Sequence, residues 1–237
     1  MGIETHNSVQ ETYNEGDERV SSFLELLEDM SPDLREQFID NLENNSEIKQ
    51  LYDEMMTKKY VEEVIQIAEK SIGAQYQMGA DTSSSKNKSD CSGLIYGSLK
   101  KLGVDDVQRG ADAMYKDPET IKDIPLPEVR RGDIMVAGKG KKFKVSHVEL
   151  VLSVELRDGN YYVNTIGSST APSPSGKNGV QYREYLITTD KQGRLRRTNL
   201  SKADKKADSR EVRFGRGDRY KQLSEQREME EKMKKIV

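Results

Sequence analysis

The chain has 237 residues, 33% of them charged and 34% apolar, with a formal net charge of −3. This fits one good-sized domain, or one domain with a smaller appendage, and the near-balanced charge disfavours nucleic acid as a partner. A single cysteine excludes an internal disulfide and a Cys-rich structural zinc site, and no apolar run is long enough for a transmembrane segment. Met1-Gly2-Ile3-Glu4-Thr5-His6 has neither the basic start nor the apolar stretch of a secretory signal, and His6 breaks the myristoylation pattern. The expected locations are therefore the cytoplasm, a phage particle, or a site reached by a non-classical export route.

In chain order, residues 1–17 are polar and aperiodic and read as a loose arm. Residues 18–56 read as a small helical accessory region. Phe23, Leu26, Leu27 and Met30 fall at i, i+3, i+4, i+7, and Ser31-Pro32-Asp33 is a helix start that places Leu34, Phe38 and Leu42 on one face. Ser46 can cap a further segment carrying Ile48, Leu51, Tyr52 and Met55. Thr57 can start the next helix, with Val61, Val64, Ile65 and Ala68 buried and an end near Gly73. A polar loop, Ala80 to Ser89, leads into a helix from Cys91 that buries Leu94, Ile95, Leu99 and Leu102 and stops at Gly103.

The period then changes. Ile134-Met135-Val136 reads as a short strand, and from His147 to Leu156 Val148, Leu150, Leu152, Val154 and Leu156 alternate with other residues to form one core face, His147 pointing away from it. Asp158-Gly159 is a hairpin turn, Tyr161 to Ile166 its returning strand, and Gly179–Ile187 and Glu211–Phe214 are further strand candidates. Helices first and an antiparallel run of strands afterwards predict an α+β fold, with a domain over 57–200 and a charged extension over 201–237.

The chemistry centres on Cys91, in Ser89-Asp90-Cys91-Ser92-Gly93, where a loop becomes a helix. Unpaired N–H groups and the dipole at a helix start favour a thiolate. Of the two histidines, His6 lies in the loose arm, which leaves His147 as the base. An ion pair at ~4 Å and an effective dielectric of ~20 is worth about 4 kcal/mol, enough to hold a thiolate near neutral pH. Cys91 would attack a carbonyl, His147 would protonate the leaving amine, and the Cys91 N–H would serve the oxyanion.

Ala74-Gln75-Tyr76-Gln77-Met78-Gly79, Asp90-Cys91-Ser92-Gly93-Leu94-Ile95, Arg131-Gly132-Asp133-Ile134-Met135 and Ser146-His147-Val148 together resemble the NlpC/P60 cysteine peptidases, over residues 60–187. The CHAP-type amidases are a close relative with the same Cys-before-His order. The resemblance implies a papain-like core of helices packed on an antiparallel sheet, and hydrolysis of peptide bonds in peptidoglycan or its fragments without a metal or other cofactor. It also implies Cys91 as nucleophile, His147 as base, and Tyr76, Asp90 and Ser92 at the substrate pocket. Gly132-Asp133 matches a structural turn.

The family's third catalytic position, a polar residue on the next strand, is open between Asn164 and Ser168. A two-residue turn pairs Ser153 with Asn164, about 20 Å along the sheet from His147, and pairs Glu149 with Ser168. Were neither to serve, the domain would be a weak or inactive binding or structural module of a phage particle or secretion apparatus. A protein partner could dock on residues 18–56 or on the C-terminal tail.

Overall fold

The computed structural model describes residues 29–43, 45–170, 178–201 and 207–223, together with Leu26, Glu225 and Arg227. The expected loose arm, the side chains of Phe23, Leu27 and Leu42, and the end of the tail lie outside the described residues. The chain divides into two compact units, Met1–Lys59 and Tyr60–Val237.

In the first unit, α1 (Pro32–Glu43) starts where the Ser-Pro-Asp signal predicts, and the Leu34 N–H donates to Ser31 Oγ at 3.4 Å. On the face expected there, Leu34 is 57% exposed and Phe38 is part-buried. The next helix, α2 (Ser46–Glu69), runs for 24 residues without a break, where two helices meeting at Thr57 were expected. No Gly or Pro interrupts this stretch, so Thr57 is carried as an interior residue. Asn45, not Ser46, caps α2: its Oδ1 accepts the N–H groups of Glu47 and Ile48, each at 3.2 Å.

In the second unit, the later part of α2 buries Tyr60, Val64, Ile65 and Ala68. Two short parallel strands follow, β1 (Gln75–Tyr76) and β2 (Lys88–Ser89), and then α3 (Cys91–Lys101) and α4 (Ala111–Lys116). The remaining strands are β3 (Lys122–Ile124), β4 (Ile134–Lys139), β5 (Lys144–Arg157), β6 (Asn160–Ser169), β7 (Gly179–Thr189), β8 (Leu195–Asn199) and β9 (Ala207–Arg216). They pair antiparallel in the order β3-β9-β4-β5-β6-β7-β8, and a further β8–β9 pairing closes the sheet into a barrel. The α+β organisation is as expected. The closure is not, and it moves the domain's end: β9 lies inside the expected charged extension yet supplies a strand bonded to β3, β4 and β8. The strand candidate Glu211–Phe214 is the later part of β9, and its alternate residues, Val212 and Phe214, are core.

Met135, Ala137, Val151, Val163, Tyr185, Ile187, Val212 and Phe214 pack as one core inside the barrel. Alternation along β5 therefore turns His147 and Glu149 inward with Val151, while Val148 and Leu150 belong to the opposite, buried face. Helix α3 packs on β5 and β6, with Leu94, Ile95 and Leu99 buried.

The β5–β6 hairpin turns at Asp158 (φ +50°) and Gly159 (φ +76°), the left-handed pair that a tight two-residue turn requires. Ser153 pairs with Asn164 as predicted, but a bulge at Leu152 then shifts the ladder, so Val151 faces Thr165 and Leu150 faces Ile166. Arg131 stabilises this bulge: its Nη1 donates to the Leu152 carbonyl at 3.1 Å while its Nε and Nη2 hold Glu62 of α2 at 2.6 and 2.8 Å. Gly132 and Asp133 form the structural turn expected of them. Gly132 has φ +89°, and a Cβ there would come within 2.5 Å of Val61. Asp133 accepts two hydrogen bonds from Arg216 of β9, which tie the turn before β4 to β9.

Candidate active site

Asp90 makes the turn from β2 into α3. Its backbone is extended, and as N-cap its Oδ1 accepts the Gly93 N–H at 2.7 Å. Its carboxylate also accepts the Gly79 N–H at 2.7 Å, the Ser92 hydroxyl at 3.0 Å, and both arms of the Arg109 guanidinium at 2.9 and 3.0 Å. Arg109 further donates to the Ala80 carbonyl and to Ser92 Oγ. Burial opposes the charge on Asp90, but the Arg109, Gly93 and Gly79 hydrogen bonds outweigh it and hold its pKa below the ordinary carboxylate range. Asp90 and Ser92, expected at the substrate pocket, are buried, and their polar atoms are engaged within the protein. The same clamp fixes where α3 begins, and so where Cys91 sits.

Cys91 is buried at the first position of α3. The backbone N–H groups of Val148 and Ser92 lie where they favour a charged sulfur. Helix start and strand β5 thus meet at the residue next to His147. The thiol and the imidazole make no hydrogen bond to each other. Tyr76 lies close enough to feel the charges of both Cys91 and Asp90, and its hydroxyl donates to Met78 Sδ at 3.8 Å.

The imidazole is held from the other side. His147 Nε2 lies 2.7 Å from Glu149 Oε1, two residues along the same inward face of β5. Glu149 is 1% exposed and sits at the centre of a network. Oε1 also accepts Tyr185 OH at 2.7 Å and Arg197 Nη1 at 3.1 Å, and Oε2 accepts Thr165 Oγ1 at 2.5 Å. Arg197 stacks over the Tyr185 ring at 4.6 Å. Arg183, also buried, donates to the Gly167 carbonyl at 2.8 Å, and Gly167 is the residue that leaves room for Glu149: a Cβ there would lie 2.6 Å from its Cγ.

Burial opposes the Glu149 charge. The His147 hydrogen bond and the fields of Arg183, Arg197 and His147 win, and its pKa lies well below the ordinary value. An ionised carboxylate only accepts hydrogen bonds, so Nε2 carries the proton and the Nδ1 lone pair is left free.

The two sequence candidates for this orienting position lie elsewhere. Ser168 donates its hydroxyl to the Ser89 carbonyl at 2.7 Å and ties β6 to the strand that precedes the nucleophile turn. Asn164 donates to Ser153 Oγ at 3.0 Å. The bulge at Leu152 is the reason. It exchanges the faces of β5, so Ser153 and Asn164 end on the face opposite His147, and it advances the register by one residue. Glu149 was legible in principle. A carboxylate on the His147 side of a strand that is apolar on its other side is costly unless paired.

The electrostatics also differ from the sequence expectation of a preformed ion pair. Burial pushes the Cys91 thiol up, and the negative charges of Asp90 and Glu149 add to this against the two N–H donors. Burial pushes His147 down, more strongly than Glu149 raises it. The resting pair is therefore a neutral thiol beside a neutral imidazole.

These shifts set a pH dependence of stability. His147 has its folded pKa below 6.5, so the unfolded chain takes up the proton first and stability falls as pH drops below about 6.5. Glu149, depressed in the fold, contributes stability that is present above its unfolded value near 4.5 and lost as pH falls through its folded value. Urea midpoints should decrease in the order pH 7, 5.5, 4. Equal midpoints would contradict the assignment of a neutral, buried His147.

Among the described residues, no three His, Cys, Asp or Glu side chains converge as metal ligands would, and no helix is long and apolar enough to cross a membrane. Residues 73–189 match the model of the NlpC/P60 family, a span that holds β1 to β7, Cys91, His147 and Glu149. No curated protein matches the chain.

Proposed function

The protein belongs to the NlpC/P60 family through residues 73–189, a family of peptidoglycan-related hydrolases that are generally cysteine peptidases or amidases, and from that premise we propose that it cleaves a peptide or amide bond of peptidoglycan stem peptides with Cys91 as nucleophile, His147 as base and Glu149 as the group that orients His147. The observation that carries the reading is the Glu149 contact to Nε2, which leaves Nδ1 basic on the residue next to Val148, whose N–H favours a charged Cys91 sulfur. Apo geometry in hydrolases is often loose, and the catalytic hydrogen bond tightens when substrate is bound. In this reading the core is papain-like, and Tyr76 lies at the rim of the substrate pocket.

In the first step Sγ attacks the carbonyl carbon as its proton passes to Nδ1. The oxyanion is met by the Cys91 N–H, a first-turn donor without an intrahelical acceptor. Collapse breaks the C–N bond, and the imidazolium gives its proton to the departing amine. The product is a thioester on Cys91. Water, deprotonated by Nδ1, then attacks the thioester and releases the carboxylic acid and the thiol. Starting from a neutral pair, the proton moves only when a carbonyl is in place. Glu149 stabilises the imidazolium in each half-reaction and keeps its own charge.

Replacing Cys91 by Ala should abolish release of fragments from purified wall peptides, followed by mass spectrometry, while the thermal midpoint changes little. Cleavage at the wild-type rate in that variant would reject the mechanism. Wild-type protein that binds wall peptides without cutting them would favour the alternative of a binding or structural module.

A further inference from the structure

Beside the nucleophile turn lies a concavity of about 570 Å³, in the size range of ligand sites. It is lined by the segment that follows α2, with Lys70, Ile72 and Gln75, and by the end of the polar loop, with Lys86, Asn87 and Lys88. Lys70, Lys86 and Lys88 are exposed, and among the described residues none of them is ion-paired. Among the described residues no Asp or Glu lines the cavity, although the chain as a whole carries 41 acidic residues against 38 basic ones. Lys70 alone has a local explanation, as a cation just past a helix C-terminus. Lys86 and Lys88 have none: they stand in a loop and a two-residue strand whose other charged neighbour, Asp81, is turned onto Ser83 and Ser84.

We propose that this cavity binds the carboxylates of an acidic peptide chain. Its use as part of the substrate groove rests on the hydrolase reading; the binding itself does not. The geometry links the two sites. Lys88 precedes Cys91 by three residues of extended chain, about 10 Å at ~3.3 Å per residue. The parallel β1–β2 ladder leads from the lysines, at Gln75 and Lys88, to Tyr76 and Ser89 beside the nucleophile turn. A peptide with its scissile carbonyl at Cys91 would set side chains two to three residues away against the lysines. Carboxylates spaced along a chain suit three separated ammonium groups. A compact phosphate would call for donors that converge on one point, as backbone N–H groups do at a helix N-terminus.

The test uses full-length Cys91→Ala protein, so that turnover cannot interfere, and fluorescence anisotropy of tri-glutamate and tri-alanine peptides carrying the same neutral dye. Tri-glutamate should bind at least tenfold more tightly than tri-alanine. The Lys70→Gln/Lys86→Gln/Lys88→Gln variant should lose that advantage, whereas a charge-matched control, Lys122→Gln/Lys191→Gln/Lys221→Gln, should keep it. Equal binding of the two peptides, or full tri-glutamate binding by the first variant, would overturn the proposal. Binding of inorganic tripolyphosphate with none of tri-glutamate would overturn the assignment to carboxylates. Because the readout is binding, an inactive wild-type enzyme would remove the hydrolase reading and leave this result standing.

Discussion

Replacing Glu149 by Ala is expected to cost about 3–5 kcal/mol of folding stability. The carboxylate is buried, and Arg197 and Arg183 are buried with it. Removing it leaves two guanidinium charges inside the barrel without their anion, and it takes the acceptor from Tyr185, Thr165 and His147. Domains are commonly stable by only 5–15 kcal/mol, so such a change consumes much of the margin. Glu149→Gln separates stability from chemistry. It keeps the volume and one acceptor oxygen but not the charge, so it should cost less stability than Ala while still leaving Arg183 and Arg197 without their anion. An amide, however, neither fixes the imidazole tautomer nor stabilises the imidazolium, and kcat should fall by about 10²- to 10⁴-fold. Urea unfolding of both variants, with peptide turnover by the Gln variant, checks the pair of effects. A Gln variant with wild-type kcat would show that Glu149 is only a structural ion.

His147→Ala should lower kcat/KM by about 10²- to 10⁴-fold, the usual worth of a general base. Glu149 keeps Tyr185 and Arg197 as partners in this variant, so the barrel should hold. The pH profile gives the sharper reading. Burial depresses His147, so the wild-type acid limb should fall below pH 6.5, with a plateau through neutrality. In His147→Ala that limb should vanish from whatever rate remains. An acid limb of the same midpoint in the variant would assign the titration to another group.

Much of this architecture is legible in the sequence because its signals are local. Asp90 before Cys91 marks a helix start, Asp158-Gly159 marks a two-residue turn, and the alternation after His147 marks a strand, but not the single apolar face expected of it: past the bulge at Leu152, Val154 faces the barrel core with Val151, opposite Val148 and Leu150, and Leu156 is exposed. What escapes is set by distant parts of the chain. Nothing in Arg131-Gly132-Asp133 says that Arg131 supports a bulge at Leu152, yet that bulge decides which residue of β6 faces Glu149 and removes both Asn164 and Ser168 from the imidazole. Closure by β9 is hidden for a similar reason: its charged residues alternate with Val212 and Phe214, and only pairing with β4 shows which side matters. The thiol's raised pKa follows from burial between α3 and β5, which no reading of the flanking polar residues conveys.

Acid-quenching the protein during turnover of a wall peptide, then locating any added mass by peptide mapping, tests the nucleophile most directly. A thioester on Cys91, equal in mass to the acyl half of the cleaved peptide and absent from Cys91→Ala, is the predicted result. Fragments released over the whole time course, with Cys91 unmodified at every point and still released by Cys91→Ala, would contradict it.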